Sequence, residues 1–141
     1  MASVNYLFVY GTLRKEVQHP MHNVLTQCAT YIGMGTFQGK LYDLGCYPGA
    51  VPSPEQCDRV IGEIYKLQPP ARVFANLDDY EGRLFRREPL PVWQPAGNKV
   101  TAWVYLYRGP TSESKRIAGG DYLLFCARLR SVSGKETGST P

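Results

Sequence analysis

The chain has 141 residues, 43% of them hydrophobic and 20% charged, which is enough apolar material for one packed domain and too much for a disordered chain. Ten Tyr, 14 Gly and 11 Pro favour strands joined by many turns over a helix bundle. The net charge of +4 comes from dispersed basic residues, with Arg86-Arg87 and Lys115-Arg116 the densest pairs; without an aromatic-interleaved basic stripe, nucleic-acid binding is not expected, while a mild cationic field suits a small anionic substrate.

Tyr6-Leu7-Phe8-Val9-Tyr10 is an unbroken apolar run, the pattern of a strand buried on both faces. It breaks at Gly11, which lets backbone turn sharply or approach a ligand, and Thr12 adds a hydroxyl. Taken alone, this is an ordinary strand end with a stray Gly. The segment before it lacks a basic leader, and the run is too short for a signal or a membrane span. Pro20 opens a predicted helix with Met21, Val24, Leu25 and Cys28 at helical spacing. Gly33, Gly35 and Gly39 punctuate a β segment from Met34 to Leu44. Turn signals follow at Asp43-Leu44-Gly45 and Pro48-Gly49, with a brief strand at Ala50-Val51 and a loop at Pro52-Ser53-Pro54.

Arg59 to Leu67 reads as a second strong strand, and Gly62 inside it signals a bulge or a close backbone approach. Ala71 to Tyr80 reads as a helix that Gly82 can cap. Arg86 to Trp93 is a strand in which Pro89 and Pro91 require an edge or a bend. Pro95-Ala96-Gly97-Asn98 is a hairpin connection. Lys99 to Tyr107 alternates, with Val100, Ala102, Val104 and Leu106 on one face and Trp103, Tyr105 and Tyr107 on the other. Asp121 can cap a last helix from Tyr122 to Leu129. The expected organisation is one domain over 1–130 with a loose Ser/Gly/Thr-rich tail over 131–141. Its class is α+β, around a mixed or barrel-like sheet. Cys28, Cys46, Cys57 and Cys126 show no CxxC pair and are expected to be reduced thiols.

One acid is placed against its pattern. On a helical wheel, Val73, Phe74, Leu77 and Tyr80 form an apolar stripe, and Glu81 falls on it while Asp79 points away. An inward carboxylate at a helix C-terminus is disfavoured as an anion by burial and by the helix end. Both effects move it toward the range of a general base. Pairing with Arg83, Arg86 or Arg87, or fraying toward water, are the structural alternatives. Elsewhere, His19 and His22 lack companions for a metal set. No nucleophile elbow, dinucleotide loop or phosphate loop is present, and the late-strand aromatics have a plain reading as core.

Together the motifs resemble a family. Tyr10-Gly11-Thr12-Leu13 behind a buried strand, Leu41-Tyr42-Asp43-Leu44-Gly45 with Tyr47-Pro48, Leu77-Asp78-Asp79-Tyr80-Glu81-Gly82, and Tyr105 and Tyr107 in a late strand resemble the γ-glutamylcyclotransferase-like superfamily, AIG2-like branch. The resemblance implies a small mixed or antiparallel β-barrel with short flanking helices and a cavity at one mouth. It implies conversion of a γ-glutamyl amide or peptide to 5-oxoproline and a free amine or amino acid, through attack of the substrate's own α-amine. It places the catalytic acid at Glu81 and substrate contacts at Tyr10, Gly11, Thr12, Leu13, Tyr47 and Tyr105. No metal or organic cofactor is implied, and the partner is a small γ-glutamyl substrate rather than nucleic acid or membrane. The expected protein is cytoplasmic and a monomer or weak homodimer. A non-catalytic metabolite-binding module on the same barrel is the alternative. The chain departs from relatives at Ala118-Gly119-Gly120-Asp121-Tyr122, where many carry a Ser-Gly-Asp-Trp-like turn; this bears on substrate range more than on the reaction.

Overall fold

Seven strands organise the computed structural model, which describes residues 5–11, 29–44, 47–67, 84–111, 115–117 and 119–127. They are β1 (Tyr6–Val9), β2 (Ala29–Asp43), β3 (Pro48–Pro52), β4 (Arg59–Leu67), β5 (Phe85–Trp93), β6 (Lys99–Tyr107) and β7 (Lys115–Arg116). Strand β1 pairs antiparallel with β4 and parallel with β6. Strand β4 pairs antiparallel with β2, β2 with β5, and β5 with β6. The circuit β1–β4–β2–β5–β6 therefore closes on itself as a mixed barrel of five strands. Strand β3 pairs with β2 from Gly39 to Asp43 and touches β6 through Ala50 and Leu106.

Closure explains the unbroken apolar run in β1. Phe8 and Tyr10 face the barrel interior, with Phe37, Leu41, Val60, Ile64, Val92, Ala102, Val104 and Leu106. Leu7 and Val9 face outward into a second buried cluster with Tyr65, Leu67 and Tyr105. A strand with no wet face has no polar positions to alternate. The alternation in β6 is resolved as its pattern requires, with Ala102, Val104 and Leu106 inside and Trp103 and Tyr105 in or against the outer cluster.

Strands β4 and β6 start and end where the sequence pattern places them. Strand β2 begins five residues earlier than its apolar content suggests, because Ala29 to Tyr31 are held by the partner residues Leu67 to Tyr65 of β4. Its irregularity falls between Tyr31 and Gly33, not at Gly62. At Gly62 a Cβ would run into the Val9 carbonyl oxygen and the Phe8 ring, so this glycine serves a close approach of β1. In β5, Pro89 and Pro91 are exposed and, among the described residues, only Val92 and Trp93 reach β2; the prolines sit on an edge that no described strand pairs with. Strand β7 is a two-residue rung on Tyr42 and Asp43 that carries too little apolar content to read from sequence.

The Asp121 cap is present: the Leu124 N–H donates to Asp121 Oδ1 at 3.2 Å. It opens a short helix at 122–127, whose Tyr122 and Phe125 pack against the interior cluster. Cys57 and Cys126 are free thiols. The helices expected at 21–28 and 71–80, the tail, Cys28 and Cys46 lie outside the described residues. Among those described, no helix is long and apolar enough to cross a membrane.

The two glycines before Asp121 behave differently. Gly120 has φ +69°, and a Cβ there would meet the Arg59 carbonyl, while its own carbonyl accepts from the Ile61 N–H at 2.7 Å. Gly119 has open space around it. Gly120→Ala should therefore cost on the order of 1–3 kcal/mol in a urea titration, and Gly119→Ala should stay within about 0.5 kcal/mol. Equal effects at the two positions would contradict the assigned backbone.

Candidate functional site

Three motif segments far apart in the chain meet at the end of β1. Tyr10 crosses the barrel interior. Its hydroxyl donates to the Tyr105 carbonyl at 2.6 Å and accepts from the Ala50 N–H at 3.1 Å. One phenol thus joins the exit of β1 to β6 and to β3. Gly11 follows at the rim, where a Cβ would lie 2.8 Å from Pro48 Cγ. The absence of a side chain lets the turn and the start of β3 touch.

Tyr47, immediately before Pro48, is 38% exposed and its ring lies 5.9 Å from Phe85, which in turn lies 5.6 Å from Tyr107. These aromatics line up beside the Gly11 turn, apolar surfaces with one member open to solvent. The Tyr107 hydroxyl is used internally, donating to the Pro110 carbonyl at 3.1 Å. Tyr105 is 4% exposed and belongs to the outer cluster with Leu7, Val9, Tyr65 and Leu67.

Of the residues expected at the site, the structure thus brings Tyr10, Gly11, Tyr47 and Tyr105 to one end of the barrel. Tyr10 is a buried cross-link whose hydroxyl is already engaged, and Tyr47 is the most open of the four. Thr12, Leu13 and Glu81 lie outside the described residues, as do His19 and His22.

A buried acid that the motif reading passes over stands in the same region. Glu63 of β4 is 0% exposed and is paired in register with Val9. It accepts a hydrogen bond from the Tyr65 hydroxyl at 3.0 Å. An acid inside the apolar run from Val60 to Leu67, in a strand covered on both faces, was the signal in the sequence.

The other charged cluster lies at the β2–β4 margin. Asp58 Oδ1 accepts from Arg116 at 2.6 Å and Oδ2 accepts from the Ser53 hydroxyl at 2.6 Å. The Ser53 hydrogen bond, the Arg116 hydrogen bond and the Arg116 charge hold the Asp58 carboxyl below its ordinary value of 3.8, with Lys40 adding to the effect and burial opposing it. The arrangement is a clamp between β7 and the loop before β4. Beside it, a half-open cleft of about 490 Å³ runs between Thr36, Gln38, Arg59 and Trp93; it shares no residue with the Gly11 end. Among the described residues no group of three or more His, Cys, Asp or Glu side chains could hold a metal ion.

Comparisons with known proteins bear on the family and the fold. The family model for γ-glutamyl cyclotransferase, AIG2-like, matches residues 7–124. The γ-glutamylcyclotransferase family protein YtfP of Escherichia coli K12 is 32% identical over 117 residues, covering 83% of this chain and 95% of its own. An AIG2-like protein of Mus musculus superposes with a TM-score of 0.62 at 27% identity, over 79% of this chain and 82% of its own. YkqA of Bacillus subtilis superposes with a TM-score of 0.74 at 25% identity over 92% of this chain, which spans 43% of that longer protein.

Two outcomes follow from the site. Tyr10→Phe leaves a buried carbonyl and a buried N–H without their partner and should cost about 1–3 kcal/mol, read by urea unfolding. Asp58 has a folded pKa below its unfolded one, so its ionic contribution is present above about pH 4 and is lost as pH falls through the lower folded value. The melting-temperature gap between wild type and Asp58→Asn should be steady from pH 5 to 8 and close below about pH 4. A gap that widens on acidification would refute the clamp.

Proposed function

Because the chain belongs to the γ-glutamyl cyclotransferase, AIG2-like, family, we propose that it converts a γ-glutamyl amide or peptide into 5-oxoproline and a free amine or amino acid. The observation that supports this most directly is the meeting of Gly11 and Pro48 at the rim of the closed barrel, with Tyr10 tied to Tyr105 beneath them. That junction makes a rigid base for a backbone turn whose N–H groups can face a small anionic ligand.

The chemistry has two requirements. The α-amine of the substrate is a nucleophile only when neutral, so a base must remove a proton from the α-ammonium. Glu81 is assigned that role. The neutral nitrogen then attacks the γ-carbonyl carbon, and the new N–C bond closes a five-membered ring with an oxyanion on the former carbonyl. As the oxyanion collapses, the bond from that same carbonyl carbon to the leaving nitrogen breaks and Glu81 returns its proton to that nitrogen. The surplus proton of the ring nitrogen leaves with the amine, which ends as an ammonium.

Ring closure is intramolecular, so the second requirement is to fold the glutamyl chain into its attack pose. The segment from Tyr10 to Leu13 is assigned the charged head of the substrate, whether its α-carboxylate or the developing oxyanion. Tyr47 is assigned to the wall, and Tyr105, whose ring packs in the outer cluster, supports the site through the bond from the Tyr10 hydroxyl to its carbonyl. Neither ring closure nor amide cleavage calls for a redox group. The free thiols Cys57 and Cys126 suit a reducing compartment, in line with a cytoplasmic setting.

Incubation with a panel of γ-glutamyl amines and dipeptides, assayed for 5-oxoproline, tests the reaction. Glu81→Gln should keep the fold and the binding of a γ-glutamyl ligand while turnover falls by about 10²–10⁴-fold. Wild-type turnover in that variant would sink the mechanism, and binding without turnover across the panel in the wild type would favour the non-catalytic module. Gly11→Val places bulk against Pro48 and should weaken γ-glutamyl ligand binding about tenfold or more; an unchanged titration would remove the turn from the site.

A further inference from the structure

The outer wall of the barrel beside the Asp58 clamp carries side chains that the preceding chemistry leaves without a task. Phe37, Val60 and Val92 face the interior, so their chain neighbours Thr36, Gln38, Arg59 and Trp93 face outward. Register sets these four side by side. Thr36 of β2 pairs with Ile61 of β4 on one edge and with Trp93 of β5 on the other, and two residues further on Gln38 pairs with Arg59. Two strand spacings and two residues of rise hold the Trp93 and Arg59 backbones about 12 Å apart.

Two short segments raise walls over this floor. The 94–98 turn is closed by the Gln94 N–H, which donates to the Asn98 carbonyl at 2.8 Å, and by the Gly97 N–H, which donates to the Gln94 carbonyl at 2.9 Å. Gly97 supplies the φ of +98° that the turn needs. Opposite, the Glu55 N–H donates to the Ser53 hydroxyl at 3.1 Å and the Asp58 N–H to the Glu55 carbonyl at 3.2 Å. Between them lies the half-open cleft of about 490 Å³, within the range of about 300–1,000 Å³ usual for small-molecule sites. Its walls are ordered before anything binds, which lowers the cost of binding.

The lining suits a flat ring joined to an anion. Trp93 is half-buried, and among the described residues its indole is committed to no other ring or cation, so it can serve as a stacking platform. Arg59 is exposed, and its guanidinium has no hydrogen bond or ion pair among the described residues. By contrast, Arg87 lies on Trp103 and Arg116 on Asp58. Asp58, the acid among the described lining residues, has Oδ1 engaged by Arg116 and Oδ2 by Ser53, and the Lys40 charge reaches it as well. Glu55 is exposed and stands outside the lining. Lys40, Arg59 and Arg116 thus outweigh Asp58 and Glu55, and the uncommitted charge is the Arg59 cation. Gln38 Nε2 donates to the Ser53 carbonyl at 2.8 Å, and the Gln94 side chain accepts from Asn98. Each amide is steadied by one of its polar groups and keeps the other for a ligand.

We infer that this cleft binds a nucleoside monophosphate, with the base stacked on Trp93, the phosphate held by Arg59, and Gln38 and Gln94 meeting the polar atoms between. A guanidinium fork matches phosphate oxygens in pairs. An aromatic acid carries its ring and its charge close together, whereas these two anchors stand apart; a base, a sugar and a phosphate in sequence span them. The cleft shares no residue with the Gly11 end, so this occupant is a second ligand, and the inference does not depend on the cyclotransferase reading.

Titration of the full chain, followed through its backbone amide and indole NMR signals, tests this. The probes are AMP, GMP, CMP and UMP, with the matching nucleosides, ribose 5-phosphate and inorganic phosphate as their parts. At least one monophosphate should bind with Kd below about 1 mM and shift the signals of Thr36, Gln38, Arg59 and the Trp93 indole. Each part should bind at least tenfold more weakly. Arg59→Gln should weaken the monophosphate about tenfold or more and bring it within about twofold of its nucleoside. Trp93→Leu should weaken it by a similar factor, and Trp93→Phe, which keeps a ring, should retain most of the binding. Arg59 is exposed, so its variant decides the matter even where Trp93→Leu does not fold. Absence of saturable binding by all of the monophosphates overturns the inference. Binding that survives Arg59→Gln overturns it too, as does inorganic phosphate binding as tightly as the monophosphate. Shifts at these residues with γ-glutamyl-alanine and with no nucleotide would give the cleft to that substrate and overturn it as well.

Discussion

The Tyr10 hydroxyl is the interaction on which the candidate site depends. Placed at the end of an otherwise apolar strand, it satisfies two backbone groups of two other strands inside the barrel, one on Tyr105 and one on Ala50. Buried backbone groups of this kind cannot be left without partners. The hydroxyl therefore ties the exit of β1 to the place where β3 crosses to β6. The Gly11 turn inherits its position from that junction, and its contact with Pro48 follows.

Closure of the sheet supplies the rest. A five-strand circuit leaves little room inside, and the interior is filled by Phe8, Phe37, Leu41, Ile64 and smaller aliphatic residues. Because β1 is central to the circuit and also covered on its outer face, it is rigid from both sides. A turn emerging from such a strand can hold a ligand with little loss of its own freedom, which is the advantage of a preorganised loop. The same close packing explains why Gly62 and Gly120 stand opposite the Val9 and Arg59 carbonyls. Each marks a backbone crossing that a side chain would block.

Polar groups divide by role in the same way. Asp58, with Ser53 and Arg116, fastens a loop and a two-residue strand at the margin of the sheet, where a charged clamp is matched on both oxygens. Glu63 sits under the outer face with a tyrosine partner, next to the site and away from that clamp. Both acids are buried. The second lies beside the end of β1 that leads into the motif at Tyr10–Gly11, and the first reaches the motif at Tyr42–Asp43 through Arg116.

Strands β1, β4 and β6 were legible in the sequence, because a doubly covered strand needs an unbroken apolar run and a half-covered one needs alternation. The turn at 95–98, the Asp121 cap and the edge position of Pro89 and Pro91 were legible for the same local reason: each is fixed by the φ angle, the missing N–H or the side-chain oxygen of one residue. The early start of β2 and the rung at Lys115–Arg116 were not, since those residues are ordered by partners distant in sequence and carry no period of their own. Of the site, Tyr10, Gly11, Tyr47 and Tyr105 could be named in advance, while the placement expected of Glu81 lies outside the described residues. What the tertiary structure decided is that Tyr10 faces inward as a cross-link between β6 and β3, and that Glu63 shares a row with Val9. Both depend on which strands pair and in what register, and register is a property of the closed sheet rather than of any one segment.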